Sequence, residues 1–221
     1  MYEAEIIERF SKVPVFSLAD AAQIIQNRGY AKKFLARMVR RKRIVRIKKD
    51  LYTLHSDSFL AATFLLKPSY ISGVSALSYH KKITQIPKEV FCHTSKPARK
   101  YFFIERINFY HTEFFFGFEM RNYLDFDIPV ATAEKAIIDS IGKFPLSVID
   151  EAFDDIDVEK MLSYLERIKK SSIVKRVGYL LEIHGHDVFP KLEKYVNNKH
   201  VPLDPIAKPK GIKSRKWKII A

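Results

Sequence analysis

The sequence predicts an α+β protein, in which a small N-terminal unit of helices and a β-hairpin precedes a mixed α/β domain with a largely antiparallel sheet and C-terminal helices. Three observations support this prediction. Residues 28–54 have the pattern of a basic amphipathic helix followed by a basic hairpin, residues 70–131 contain short β-rich stretches, and residues 132–198 return to helical periodicity. We therefore divide the chain into residues 1–56 and residues 57–221.

Composition is typical of a globular protein with a substantial core. Of the 221 residues, 47% are hydrophobic and 13% are aromatic, and the formal net charge is +14. No apolar run approaches the ~20 residues that span a bilayer. The single cysteine, Cys92, excludes an intramolecular disulfide framework. Together with the absence of a charged and apolar leader, it predicts a cytoplasmic protein without a membrane partner.

The N-terminal segment predicts a first helix, because Ile6, Ile7 and Phe10 fall on one helical face. A second helix is expected to begin at Ser17, whose hydroxyl can accept a hydrogen bond from a first-turn amide. Asp20 places a negative charge near the positive end of that helix. The apolar side of the second helix is expected to contain Leu18, Ala22 and Ile25.

A third helix is expected after a tight turn at residues 27–29, where Gly29 is predicted to have a positive φ. This helix places one set of residues on an apolar arc: Ala31, Phe34, Leu35, Met38 and Val39. Lys33, Arg37 and Arg40 lie at the centre of the opposite arc, flanked by Lys32 and Arg41. One face is therefore expected to pack on a core, and the other to remain cationic.

A basic hairpin is expected directly after this helix, with its first strand beginning at Ile44. Residues 48–50 form the turn, and Asp50 can adopt the left-handed conformation that such turns often need. The return strand includes Leu51 and Leu54. A helix, a turn, a second helix and a hairpin in this order are the outline of a winged helix-turn-helix.

Positive charge is concentrated in this unit, since residues 28–50 contain eleven Lys and Arg and a single acid, Asp50. An isolated basic run is usually a solvated helix face. Here the cationic arc lies opposite a packing arc and precedes a basic hairpin, which favours binding to double-stranded DNA. Lys33, Arg37 and Arg40 are expected to face base edges in the major groove. The hairpin residues Arg46, Lys48 and Lys49 are expected to contact phosphates or to reach the minor groove. The predicted DNA-binding residues are Lys32, Lys33, Arg37, Arg40, Arg41, Arg43, Arg46, Lys48 and Lys49.

The second domain is expected to begin with an apolar helix over residues 58–66, which Pro68 ends. Six β-rich stretches start at positions 70, 89, 101, 107, 114 and 126, with a helix around Val74 and Leu77 between the first two. Basic and aromatic residues interleave over residues 96–102. This segment is a candidate RNA-stacking surface, although aromatic residues in strands more often pack in the core or at an edge.

The C-terminal part predicts five helices, at residues 132–141, 145–153, 158–168, 173–184 and 190–197. The tail from residue 199 is expected to be extended, because it contains Pro202, Pro205, Pro209 and Gly211. Residues 217–220 are expected to return as a strand to a sheet. Residues 190–221 hold nine bases and two acids, and so could extend a DNA-facing surface.

No pattern in the chain predicts an enzyme, a metal site or a cofactor. Cys92 and His93 are neighbours on a strand and should point to opposite faces, so a buried thiol is expected. The segment at residues 184–187 has two histidines where a helix should end, which is too few for a closed zinc site. Lys135 and Asp139 could form a nuclease-like pair, but we interpret them as an i, i+4 surface ion pair.

Short segments with a common resemblance are spread along nearly the whole chain. They are Lys49-Asp50-Leu51-Tyr52-Thr53-Leu54, Tyr70-Ile71-Ser72, Ser75-Ala76-Leu77-Ser78-Tyr79-His80, Thr94 with the basic stretch after it, residues 128–139, Arg176-Val177-Gly178-Tyr179-Leu180-Leu181, Pro202-Leu203-Asp204-Pro205 and Lys216-Trp217. Together they resemble the AbiEi family of antitoxins and transcriptional regulators of type IV toxin–antitoxin systems. The blocks at residues 134–139 and 178–181 are the more specific ones. The chain departs from the family at Asp50, where glycine is usual, and at Ala221, where asparagine is frequent.

The resemblance implies an N-terminal winged helix that represses its own operon. It also implies a C-terminal domain that counters a nucleotidyltransferase-like toxin without forming a stable complex with it. The expected partners are therefore double-stranded DNA carrying its own operator and, functionally, such a toxin. Two alternatives remain: a stand-alone winged-helix regulator with a ligand- or partner-binding C-terminal domain and, third, a nuclease.

Overall fold

A computed structural model describes residues 2–207 and 211–221 of the chain. Helices and strands are mixed along the sequence, which confirms the α+β class. Buried side chains form two hydrophobic clusters, a smaller one within the N-terminal segment and a larger one built mostly from the remainder of the chain. Pro209, which was expected in the extended tail, lies outside the described residues.

The N-terminal segment contains three helices and three short strands. The helices are α1 (Tyr2–Phe10), α2 (Leu18–Ile25) and α3 (Arg28–Arg40), and the strands are β1 (Phe16–Ser17), β2 (Val45–Lys48) and β3 (Leu51–Thr53). The strands form an antiparallel sheet in the order β1-β3-β2. Helix and sheet meet where Phe10 stacks on Phe16 with ring centroids 4.1 Å apart.

Helix α2 begins where the sequence predicts. The Ser17 hydroxyl accepts a hydrogen bond from the Asp20 amide at 3.1 Å, and the Asp20 carboxylate accepts one from the Ser17 amide at 2.7 Å. This reciprocal capping box satisfies two amides that a helix start leaves without partners. Leu18 and Ile25 are buried as expected, together with Ala21. Ala22 is only half-buried.

The turn between α2 and α3 corrects the prediction for Gly29. Gln26, not Gly29, takes the left-handed conformation, with a φ of 57°. The Asn27 side chain accepts a hydrogen bond from the Tyr30 amide at 2.9 Å and so caps α3. Because an asparagine oxygen can satisfy a first-turn amide, the helix starts at Arg28 and includes the glycine.

The hairpin joins the N-terminal segment to the larger cluster. Strand β2 begins one residue later than predicted, and Asp50 has the expected left-handed conformation, with a φ of 58°. The register of the hairpin shifts between Arg46 and Lys48, which places a β-bulge at Ile47. Ile44 packs in the smaller cluster, whereas Ile47 is buried in the larger one.

The remainder of the chain is built on a six-stranded sheet. Its strands are β4 (Ser69–Ile71), β5 (Val90–Thr94), β6 (Arg99–Phe102), β7 (Arg106–His111), β8 (Phe118–Tyr123) and β9 (Phe126–Ala131), in the order β6-β7-β5-β4-β9-β8. The pairs β5–β7 and β4–β9 are parallel, and the other three pairs are antiparallel. The sheet is therefore mixed, with antiparallel pairs at both edges.

The predicted strand at residues 114–118 does not form. Phe114 to Phe116 lie in the connection between β7 and β8, where their half-buried rings pack against the larger cluster. Gly117 follows with a φ of +74°, and a Cβ atom there would lie 3.0 Å from the Lys135 side chain. The chain can therefore begin β8 only at Phe118.

Every segment that the sequence predicts to be helical contains a helix. These are α4 (Ser58–Leu65), α5 (Gly73–Tyr79), α6 (Ala133–Ser140), α7 (Leu146–Ile149), α8 (Val158–Ile168), α9 (Ser171–Ile183) and α10 (Phe189–Leu192). Helices α7 and α10 are short and continue as 3₁₀ turns over Asp150–Phe153 and Glu193–Tyr195. All eight residues of α6 are buried, so this helix runs through the core.

The tail forms a small sheet of its own. Its strands are β10 (Val201–Pro202), β11 (Lys213–Ser214) and β12 (Ile219–Ile220), in the order β10-β12-β11. Trp217, predicted to lie in a strand, instead precedes β12 in a turn and is 1% exposed. A Cβ atom at Gly178 of α9 would lie 2.2 Å from the Trp217 ring, so only glycine allows this close approach.

Candidate nucleic-acid interface and a buried polar network

Helix α3 has one packed and one exposed face. Ala31, Leu35 and Met38 are at most 1% exposed, and Phe34 completes the buried side. All nine predicted DNA-binding residues have exposed side chains. Lys33, Arg37 and Arg40 therefore share a solvent-facing surface opposite the core, as the helical spacing predicts.

Aromatic rings border this surface at its N-terminal side. The Arg37 guanidinium lies over the Phe34 ring, 5.1 Å from its centroid. Tyr30 is 44% exposed and lies next to both Tyr2 and Phe34. A guanidinium held over a ring is oriented while its donors remain available. This region therefore offers an oriented Arg37 beside an exposed aromatic side chain.

Three of the predicted hairpin cations already have partners. Arg43 Nε lies 3.0 Å from a Glu3 carboxylate oxygen, and Arg46 Nε donates to the Lys48 carbonyl at 3.3 Å. Lys48 Nζ donates to the Leu65 carbonyl at the end of α4, at 2.6 Å. Within the described part of the chain, Lys49 makes no side-chain hydrogen bond or ion pair. Lys49 is therefore the hairpin cation most available to an external ligand.

Two further cations contribute to this surface and were not assigned a role from the sequence. Arg28 begins α3, and Lys42 follows it with a left-handed φ of 56°; both side chains are exposed. Lys42 would lie on the apolar arc if the helix continued, so the spacing predicts a helix end near Arg41. The helix ends at Arg40 with Arg41 at its cap, which confirms this prediction and leaves the Lys42 ammonium in solvent.

The predicted surface pair of Lys135 and Asp139 is wrong in its location, because the two residues are 0% and 6% exposed. Lys135 Nζ donates to the Asp139 carboxylate and, at 2.9 Å, to the Tyr70 hydroxyl. The hydroxyls of Tyr70 and Ser72 donate to the same carboxylate at 2.9 and 2.7 Å. These hydrogen bonds compensate for the desolvation of both charges.

The protonation states in this network follow from burial and pairing. Burial alone would raise the pKa of the Asp139 carboxyl, but the positive charge that His93 carries when protonated, followed by the ammonium groups of Lys135 and Lys143, holds that pKa below its ordinary value. Burial lowers the pKa of Lys135, and Asp139 opposes this effect. Burial also raises the pKa of the Tyr70 phenol. The hydrogen bonds among Lys135, Tyr70 and Asp139 have the arrangement of an ion pair bridged by a phenol.

Cys92 and His93 are both fully buried, because their strand β5 is covered on both faces. Burial raises the pKa of the Cys92 thiol and lowers the pKa of His93 to about 3. His93 Nε2 lies 2.5 Å from Lys143 Nζ and acts as its acceptor, whereas His93 Nδ1 has no hydrogen-bond partner and is 3.8 Å from the Asp139 carboxylate. A buried neutral thiol is a weak nucleophile.

His184 is engaged by carboxylates at the end of α9. Its Nδ1 is 3.0 Å from Asp154 and its Nε2 is 3.3 Å from Asp150, while its ring stacks on Phe153. Over residues 2–207 and 211–221, no group of three or more His, Cys, Asp or Glu side chains is arranged to hold a metal ion. Over the same residues, no helix is both long and apolar enough to cross a bilayer.

The fold of this chain is shared with a protein of known structure. No family model matches the chain, and no curated protein matches it. Among solved structures, the chain is similar to the RV2827C protein from Mycobacterium tuberculosis, with 14% sequence identity and a TM-score of 0.70. The similarity covers 99% of this chain and 90% of that one. At this identity it shows a shared fold over nearly the whole molecule.

Proposed function

We propose that residues 1–56 form a winged helix-turn-helix that binds double-stranded DNA, and that the protein is a sequence-specific transcriptional regulator. The observation that carries the proposal is the exposed cationic face of α3 opposite a buried apolar face. The order of three helices followed by the β2–β3 hairpin is that of a helix-turn-helix with a wing. The cations are thus carried by the element that enters the major groove in such proteins.

The helix and the hairpin have different roles in this proposal. Lys33, Arg37 and Arg40 face the base edges, because the planar guanidinium of arginine can bond guanine O6 and N7 together. Lys49 contacts phosphates and contributes affinity rather than sequence preference. Arg43, Arg46 and Lys48 shape the hairpin through the partners described above.

We further propose that the protein represses its own operon and acts as the antitoxin of a type IV toxin–antitoxin system, opposing a nucleotidyltransferase-like toxin. This part rests on the sequence resemblance to the AbiEi family. Two of its motif segments, Tyr70-Ile71-Ser72 and residues 134–139, meet in one buried network, and Gly178 contacts Trp217. These contacts support a common fold for proteins that share the motifs. A nucleotidyltransferase gene beside this one would support the antitoxin role.

Duplex binding is tested by titrating a labelled DNA duplex at increasing salt. With roughly 5 to 7 phosphates neutralised, we expect log affinity to fall with log salt at a slope near about −5. Replacing Lys33, Arg37 and Arg40 together by Gln should weaken binding to the best operator and flatten the preference among sequences, because all three face base edges. The matched control replaces Lys88, Lys96 and Lys100 by Gln, which removes the same charge from the second domain. A flat salt response of the unmodified protein would contradict DNA binding.

A second candidate function, a regulator with a ligand-binding C-terminal domain, is favoured by a cationic cleft described below. The third, a nuclease, is not favoured by the position of its candidate residues. The Lys135 ammonium is fully buried and bonded to Asp139 and Tyr70, so it is not presented to a phosphodiester.

A further inference from the structure

A cleft of about 450 Å³ opens between the end of β7, the connection after α6 and the start of α9. Its charged and titratable lining consists of His111, Glu113, Asp139, Lys143, Lys170 and Arg176. This volume falls within the roughly 300–1,000 Å³ of sites that enclose small molecules. The cleft lies wholly within the second domain and shares no residue with the proposed DNA-binding surface.

Lys143 is half-buried in this cleft and lacks a carboxylate partner at ion-pair distance among the described residues. Its Nζ contacts the neutral His93 Nε2 and lies over the Tyr110 ring, 5.4 Å from the centroid. Burial lowers the pKa of Lys143, and the charges of Lys135 and Lys170 lower it further, against the opposing effect of Asp139. An anion beside this ammonium would offset its unfavourable environment.

The start of α9 supplies the opposite wall. This 13-residue helix begins at Ser171 without a side-chain cap from Lys170. The Ile173 amide donates to the Lys170 carbonyl at 2.9 Å, whereas the amides of Ser171 and Ser172 have no acceptor among the described residues and retain donor capacity. Arg176, one turn further on, donates through Nε to the Pro202 carbonyl at 2.9 Å. That hydrogen bond fixes the side chain and leaves the Nη groups as donors. Lys143, Lys170, Arg176 and the helix start thus converge on one space.

The acids near the cleft do not cancel this charge. Asp139 is neutralised by Lys135 within the buried network. Asp204, beside Arg176, accepts hydrogen bonds from the amides of Leu146 and Ile206. Glu113 is exposed at the rim, where water screens it. The apolar part of the lining includes Phe114, Ile138, Ile141 and Ile173.

We propose that this cleft binds a small phosphate monoester, with its phosphate on Lys143, Lys170, Arg176 and the amides of Ser171 and Ser172 at the start of α9. A monoester carries nearly two negative charges and three acceptor oxygens, which match a site with several cationic donors. The apolar lining beside the donors suits an organic group attached to the phosphate, such as a nucleoside. The second domain is then a binding domain for a phosphorylated metabolite.

The test is calorimetric titration of the full-length protein with AMP, inorganic phosphate and adenosine at constant ionic strength. We expect saturable 1:1 binding of AMP, weaker binding of phosphate and no binding of adenosine. Lys170→Gln and Lys143→Gln should each weaken AMP binding by about tenfold or more, because each removes a charge-assisted hydrogen bond. Lys100→Gln removes the same charge from an exposed position on β6 and should leave AMP binding unchanged.

Folding and alternative ligands are controlled in the same experiment. Lys170 is exposed, so its variant should keep the melting temperature of the unmodified protein even if Lys143→Gln lowers it. Failure of both AMP and phosphate to bind would overturn the proposal. Binding that Lys170→Gln leaves unchanged would overturn the location. A DNA duplex whose affinity falls in both variants, while AMP does not bind, would assign the cleft to the nucleic-acid backbone and would also overturn the proposal.

Discussion

Asp139 shows how much a single buried side chain can control stability. Its carboxylate is enclosed with Lys135 and accepts hydrogen bonds from two hydroxyls. We expect Asp139→Asn to lower the free energy of unfolding by ~3–5 kcal/mol, because it leaves the Lys135 ammonium buried without a counter-charge. Urea denaturation measures this loss.

Two further variants distinguish the loss of the ion pair from the effect of replacing an aspartate as such. Asp127→Asn makes the same chemical change at an exposed position of β9 and should cost well under about 1 kcal/mol. The double variant Lys135→Met/Asp139→Leu should be more stable than Asp139→Asn, because it buries no unpaired charge. A cost for Asp139→Asn as small as that of the exposed control would contradict the buried ion pair.

His93 predicts a pH dependence of stability. Burial lowers its pKa from 6.5 to about 3, so between these values the unfolded chain binds a proton that the folded chain excludes. Stability should therefore fall as the pH is lowered through this window, by about 1.4 kcal/mol per pH unit from this group. His93→Gln should remove that contribution, which is best measured between about pH 5.5 and 6, where carboxyl groups of ordinary pKa are already almost fully ionised. His200→Gln, at an exposed histidine, should leave the slope unchanged.

The sequence contains a signal for the burial of Lys135 and Asp139, although their spacing favours a surface pair. Their i, i+4 spacing is common on exposed helix faces, and this spacing by itself predicts a surface ion pair. The stronger signal was the rest of the segment: Ala133, Ala136, Ile137, Ile138 and Ile141 surround the helix with apolar side chains, and such a helix is buried. The partners Tyr70 and Ser72 could not be predicted, because they are brought in by strand pairing across 65 or more residues.

Helix α3 and the hairpin should respond differently to mutation. Arg37→Ala should weaken binding to the best operator by ~1–3 kcal/mol and flatten the preference among sequences, because it removes a base contact. Lys49→Ala should weaken all duplexes alike and make the salt slope shallower by about one. A binding-site selection experiment, repeated at two salt concentrations, measures both effects.

The controls for this prediction come from neighbouring cations. Arg9→Ala removes an exposed arginine from α1 and should change neither affinity nor preference. Lys48→Ala should leave the salt slope unchanged and lower stability, because the Lys48 ammonium is bonded to the Leu65 carbonyl. If Arg37→Ala preserved the operator preference, the helix assigned to the major groove would be the wrong one.

Local signals explain which elements were predictable. The start of α2 depends on Ser17 and Asp20, which lie within one turn of each other and can be identified in the sequence. The run of phenylalanines from Phe114 favours a strand by composition alone, but it lies before a glycine with positive φ that the Lys135 side chain crowds. The apolar composition of this segment therefore predicts correctly that its rings are partly buried. It does not predict the backbone conformation, which depends on a contact with α6, a helix later in the chain.

The two units of the protein share an interface at the hairpin. Ile47 is buried in the larger cluster, and Lys48 bonds the last turn of α4. On the other side of the division, Asp57 caps α4 by accepting from the Leu60 amide at 2.7 Å, and it also accepts from the Tyr123 hydroxyl at 2.9 Å. The two units are therefore in direct contact near residue 57, and Asp57 belongs to the second unit.

The position of this interface indicates where to divide the chain in order to separate DNA binding from protection against the toxin. Residues 57–221 should fold alone, since they keep the six-stranded sheet, its helices and the Asp57 cap. The fragment lacks Ile47, so the residues of the larger cluster that pack against this side chain become exposed to solvent. We expect this loss to lower the free energy of unfolding by about 1.5–3 kcal/mol, the value of burying one such side chain. The fragment should lack duplex binding, because it has lost α3 and the hairpin, and it should still protect cells from the neighbouring toxin. Circular dichroism and thermal melting establish that it is folded before it is tested.

The complementary experiment uses residues 1–56 and the full-length variant Ile47→Ser in the same growth-rescue assay. Residues 1–56 should bind DNA weakly and protect nothing, because the fragment retains only the smaller cluster for its stability. Ile47→Ser should weaken the packing between the two units. It should keep both DNA binding and protection, since it alters no predicted DNA contact and no residue of the six-stranded sheet. Rescue by residues 1–56 alone would mean that protection works through repression, and it would leave the larger unit as a ligand- or partner-binding domain.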